Sequence, residues 1–90
     1  MPKLHVLKLR EFFCDPVYNG EKKFEVREND RGFQRGDFVR FLPVNALGAN
    51  VKHPIEDVVY KITYVLSGWG IENGHVVFGI EPDNVYSELI

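Results

Sequence analysis

The feature that most limits what this chain can fold into is the shortness of its apolar segments. Five of them, Lys3 to Leu9, Lys22 to Glu28, Phe38 to Leu42, Val58 to Leu66 and Val76 to Ile80, are each five to nine residues long and bounded by glycine, proline, asparagine or aspartate. That is strand length with turn punctuation, and it leaves room for only one small helical element. There is no alternation of strand and helix that would build a parallel α/β sheet. The pattern predicts a mainly β, α+β domain: a barrel of about five strands with one or two short helical elements. With no internal repeat, low-complexity tract or linker, residues 1 to 90 are expected to form a single domain.

The segments differ in character. Lys3 to Leu9 carries Leu4, Val6, Leu7 and Leu9 and reads as apolar on both faces, which predicts a central strand. Asp15-Pro16 has the form of a helix N-cap followed by proline at the first helical position, and Asn19-Gly20 that of a helix stop, so a helical turn is expected between Glu11 and Asn19. Lys22 to Glu28 alternates, with Phe24 and Val26 on one face and Lys23, Glu25 and Arg27 on the other, the pattern of a half-buried strand. Pro43 to Pro54 reads as a long exposed connection, and Val58 to Leu66 as a strand with Val58, Tyr60, Ile62, Tyr64 and Leu66 on one face.

Composition narrows the function classes. The net charge is -2, which argues against nucleic-acid binding by bulk electrostatics. Its distribution is uneven: residues 1 to 61 hold all 11 Lys and Arg against 9 Asp and Glu, whereas residues 62 to 90 hold 4 acids and no base. One end of the fold can therefore present a basic face. No run approaches the roughly 18 apolar residues of a spanning helix, and the start Met1-Pro2-Lys3 has no signal-peptide character, so a cytoplasmic protein without membrane association is expected. A single Cys14 agrees with a reducing compartment. His5, His53, His75 and Cys14 lack ligand spacing, and no metal or cofactor is expected. Thr63, Ser67 and Ser87 do not sit in a nucleophile turn, and Gly68-Trp69-Gly70-Ile71-Glu72-Asn73-Gly74 is one residue too long for a dinucleotide fingerprint.

The segment with chemical content is Gly20-Glu21-Lys22-Lys23-Phe24-Glu25-Val26-Arg27, followed by Asp30 and Arg31. On a strand Glu25 and Arg27 project from one face about 6.6 Å apart, with Lys22 at the bend where the helical turn ends. Arg27 can grip a phosphate or a base edge with its planar fork, Lys22 adds a mobile charge, and Glu25 can orient both. The competing reading is a solvated strand face of alternating charge, each pair contributing about 0 to 1 kcal/mol. Trp69, in a glycine-flanked loop, either stacks on a base or anchors its loop on the core. Asp37, after Gly36, either joins the site or stabilises a turn.

Gly20-x-Lys22-x-x-Glu25-x-Arg27 resembles the motif of the ASCH family, and the context from His5-Val6-Leu7-Lys8-Leu9 to Gly74-His75-Val76-Val77 is similar to a small bacterial and phage-borne ASCH subfamily without an assigned function. The resemblance implies a PUA-like barrel with a cleft beside the helical turn. It also implies RNA or a modified nucleotide as ligand, with Lys22, Glu25, Arg27, Asp30, Arg31 and Trp69 as binding residues. Some ASCH relatives that hydrolyse acetylated cytidine carry a threonine nucleophile three residues after the motif lysine, where this chain has Glu25, which puts that covalent route in doubt. Catalysis is therefore left open. The leading expectation is an RNA- or nucleotide-binding module; the alternatives are a small hydrolase of a modified nucleoside or of RNA, and a protein-interaction adaptor.

Overall fold

The computed structural model describes residues 1–84. Five strands, β1 (Leu4–Arg10), β2 (Phe24–Glu28), β3 (Phe38–Val44), β4 (Val59–Leu66) and β5 (His75–Pro82), form one curled half-barrel sheet with an α-helix, α1 (Glu11–Tyr18), and a 3-10 helix at Pro54–Asp57. The spatial order is β1-β3-β4-β5-β2. Only β1 and β3 run parallel; the other neighbours are antiparallel. A parallel pair requires a crossover, and here α1 and β2 supply it, which carries β2 to the far end of the sheet. The two end strands meet across the curl through a side chain: Arg27 Nη2 donates to the Lys8 carbonyl at 2.8 Å.

The mainly β fold is as the sequence predicts, but four local expectations are corrected. First, β1 is an end strand and not a central one. Its burial alternates strictly, with His5, Leu7 and Leu9 inward and Leu4, Val6, Lys8 and Arg10 outward, so the apolar content of its outer face reflects position in the curl and not coverage by a second partner. Second, α1 begins at Glu11, directly after β1, and Pro16 lies inside it. Proline there forgoes the i→i−4 bond to the Phe12 carbonyl, and the helix ends two residues later, at Tyr18. Asp15 is not an N-cap; its carboxylate accepts from His53 Nε2 at 2.8 Å.

Third, the Pro43 to Pro54 connection begins inside a strand. Pro43 is fully buried at the end of β3, beyond the Phe38 to Arg40 stretch where β4 pairs, so no ladder bond is lost by its missing N–H. The 3-10 helix then drives Ile55 into the core. Fourth, β4 does not keep one apolar face. A register shift between Ile62 and Tyr64 reverses the alternation, leaving Tyr60 and Ile62 buried while Tyr64 and Leu66 are exposed. Thr63 sits in the irregularity, directly over Gly79 of β5, where a Cβ would stand 2.4 Å from Thr63 Oγ1.

The core lies within the curl. Leu7 and Leu9 of β1, Phe41 of β3, Ile62 of β4 and Phe78 of β5 pack against Cys14 and Val17 of α1. Each large apolar side chain so buried contributes about 1.5 to 3 kcal/mol. At the start of β1 a polar group is buried with full satisfaction: Asp37 accepts from His5 Nε2 at 2.8 Å, from the Lys3 amide at 3.1 Å and from the Gln34 amide at 3.2 Å. Asp37 therefore fastens β1 to the approach to β3. Burial pushes its carboxyl up, but the His5 hydrogen bond and the two amides outweigh it and hold the group below the ordinary aspartate value.

Candidate functional site

Three local features deliver the motif side chains to one place. Gly20, at φ +81°, turns the chain out of α1 in the left-handed region, and the amides of Glu21 and Lys22 both donate to the Pro16 carbonyl. That closes the helix and drops Lys22 at the mouth of the gap between β2 and β1. Three residues on, Glu25 points inward from β2, and Arg27, two further, shares its face.

This reverses the sense of the alternation expected for β2. The period is two, as the sequence predicts, but Glu25 is 3% exposed while Phe24 and Val26 are 45% and 52% exposed. The physical reason is that Glu25 faces two cations inside the gap. Lys22 Nζ donates to Oε1 at 2.6 Å, and Arg27 Nε donates to Oε2 at 3.0 Å. A buried carboxylate with both oxygens held by charged donors keeps its charge within the fold; without them its burial would cost several kcal/mol. The reading of the motif as a solvated charge ladder does not describe this geometry.

The three side chains line an open cavity of about 360 Å³ together with Lys8, Arg10 and Phe13. Lys22 lies with its ammonium 4.5 Å from the Phe13 ring centroid and 5.3 Å from that of Phe24, which holds the cation between two aromatic faces. Arg27 has five N–H donors, of which one goes to Glu25 and one to Lys8. Its remaining donors, and two on Lys22, make no hydrogen bond among the described residues and can meet an acceptor in the cavity. Lys8 and Arg10 make no ion pair among the described residues. The lining thus holds four cations against one carboxylate, a setting for an anion with an apolar surface at its side.

Lys8, Arg10 and Phe13 are the contributors that sequence reasoning missed. The signal was present for the first two, since the alternation of β1 places Lys8 and Arg10 on one face, but which strand end would lie beside β2 depends on the crossover. Asp30 and Arg31 stand apart, exposed in the turn after β2 and 3.9 Å from each other. Trp69 is 91% exposed in the β4–β5 loop, at φ +54°, and lines none of the cavities described here; it is not packed on the core. Cys14 is fully buried against the Leu9 and Arg10 carbonyls, and burial, with Asp15, Glu11 and Glu25 nearby, pushes its thiol up, so it is no ready nucleophile. No helix among the described residues is long and apolar enough to cross a membrane.

Residues 4–80, from the start of β1 to Ile80 within β5, match the family described as a domain of unknown function, DUF3850. The chain belongs to the DUF3850 family. An uncharacterised 12.9 kDa protein in the GpA 3' region of Escherichia phage P2 is 43% identical over 37 residues, which is 41% of this chain and 34% of the phage protein. The match thus spans about a third of that relative's length. In fold, this DUF3850 domain is similar to the crystal structure of the hypothetical protein PH0355, with a TM-score of 0.57 and 21% identity over 90% of this chain and 99% of the other.

Proposed function

We propose that this DUF3850 domain binds a nucleotide or a segment of single-stranded RNA in the cavity between β1 and β2. The observation that carries this reading is the paired engagement of buried Glu25 by Lys22 and Arg27, which fixes two cations at the cavity floor with donors left over, beside the Phe13 ring. A phosphate takes the free donors of Arg27 and Lys22, Lys8 and Arg10 supply attraction at the rim, and Phe13 offers a face to a base or ribose. The likeness of Gly20-x-Lys22-x-x-Glu25-x-Arg27 to the ASCH motif, which implies a PUA-like barrel with a ligand cleft, supports the same assignment. Binding, and not hydrolysis, is the better account of Glu25, because both of its oxygens are already engaged and no activated nucleophile among the described residues stands beside it.

Fluorescence anisotropy of a labelled, unstructured short RNA tests this. Affinity is expected to fall as salt rises, because bound phosphates release counterions, and Lys22→Ala is expected to lower the slope of log K against log salt by roughly one. No binding at low salt, or binding indifferent to both salt and Lys22→Ala, would remove the proposal.

A further inference from the structure

The cavity at the motif does not stand alone. A second one, of about 420 Å³, shares Lys22 with it as a lining residue. Its walls include Tyr18, Tyr60, Ile80 and Pro82, and Lys23 stands at its edge. Tyr60 is 2% exposed and forms a buried wall, whereas Tyr18 is 45% exposed. A third cavity, of about 440 Å³, shares Thr63 and Glu81 with the second and adds Arg35 and Lys61.

Charge is gathered along this run against the trend of the whole chain. The three linings hold seven of the 11 Lys and Arg but, in Glu25 and Glu81, only two of the 13 Asp and Glu. A chain of net charge -2 thus has a lining of seven positive and two negative side chains, a balance of +5. Lys8, Arg10, Lys23, Arg35 and Lys61 make no ion pair among the described residues. By contrast the cavity beside the 3-10 helix has one Lys, Lys52, against Glu56 and Asp57. A single phosphate needs none of this extension. Cations spaced over three neighbouring cavities, with the exposed Tyr18 among them, suit a ligand whose negative charges repeat along its length and whose flat groups alternate with them.

We infer that the three cavities form one track for an extended single-stranded nucleic acid of several nucleotides, entering at Lys8 and Arg10, crossing Lys22 and Tyr18, and leaving by Arg35 and Lys61. This rests on the nucleic-acid reading of the motif cavity and goes beyond it in naming an extended strand as the ligand and the far cations as part of its site.

The test compares a uridine mononucleotide with uridine oligomers of about four and eight nucleotides against the parent chain, the double variant Arg35→Gln/Lys61→Gln and the control Lys52→Gln. The track predicts that affinity and salt slope rise with length. It also predicts that the double variant lowers the longer oligomer's slope by roughly one to two while leaving mononucleotide binding within error, and that Lys52→Gln changes neither. All three positions are exposed, and thermal denaturation checks that the variants fold. Equal binding of mononucleotide and oligomer, or an oligomer affinity untouched by the double variant, overturns the track and leaves the motif-cavity reading standing. Failure of every nucleotide to bind removes both. Competition by polyglutamate at the same charge concentration would show that the run recognises charge alone, and would overturn nucleic acid as its ligand.

Discussion

Lys22 Nζ and Glu25 Oε1 lie 2.6 Å apart, and the carboxylate's other oxygen receives Arg27, so one buried acid fixes two cations that would otherwise repel each other across a narrow gap. The motif is in this sense a single unit: its spacing of three and then two residues is what a helix stop followed by a strand requires to bring all three heads together.

Removing the acid should therefore cost more than removing either base. Glu25→Ala is expected to destabilise the fold by about 2 to 3 kcal/mol, below the roughly 3 to 5 of a fully buried broken pair because Lys22 and Arg27 retain some contact with water. Glu25→Gln, which keeps shape and one acceptor, should lose less. Urea midpoints at constant m-value measure both, and an unchanged midpoint for Glu25→Ala would contradict the account.

Arg27→Lys keeps the charge but cannot both donate to Glu25 and reach the Lys8 carbonyl as the guanidinium does. A loss of about 1 to 3 kcal/mol is expected, together with weaker RNA binding at nearly unchanged salt slope. A variant that matches the parent in both respects would show that the fork geometry has no role.

Asp37 gives a pH signature. Its carboxyl is held below the ordinary value of 3.8, so its contribution to stability is present above that value and is lost as pH falls through the lower, folded-state value. Denaturant midpoints followed from about pH 6 down to 2 should fall more steeply for the parent than for Asp37→Asn in the region below about pH 4. Parallel curves would mean that the hydrogen bonds to His5, Lys3 and Gln34 do not favour the charged form.

How far these features were legible in the sequence depends on the distance over which they are decided. The five strands and the period of β2 are local, and alternation with turn residues announces them. Which side of β2 faces inward is not local: the pattern Phe24-Glu25-Val26-Arg27 fits either face, and the choice is made by Lys22 and by the Lys8 carbonyl, residues brought in by the helix stop and by the crossover. The end position of β1 is hidden for the same reason, since Leu4 and Val6 look like core until the sheet order is known. The reversal in β4 has a faint sign in Thr63 amid apolar neighbours, but it only becomes meaningful beside Gly79 on the next strand.

That close approach is itself testable. Gly79→Ala would place a Cβ 2.4 Å from Thr63 Oγ1 and is expected to destabilise by about 1 to 3 kcal/mol. Thr63→Ala removes the obstructing oxygen, so the double variant should be markedly better than the sum of the two singles, a coupling that a thermodynamic cycle reads directly. Additive effects would locate the strain elsewhere.

The meeting of β1 and β2 has one more consequence, for the protein in a crowded solution. A curled sheet that stops short of closure leaves two margins of unpaired backbone groups, each a template on which another chain's strand can add. Here the margins face each other across the gap, with Arg27 occupying the Lys8 carbonyl and two cations guarding the approach. The residues proposed to make the gap a place for a ligand are thus the same ones that obstruct it as a place for a neighbouring strand, so loss of the motif would expose a sheet margin to self-association as well as empty the cavity.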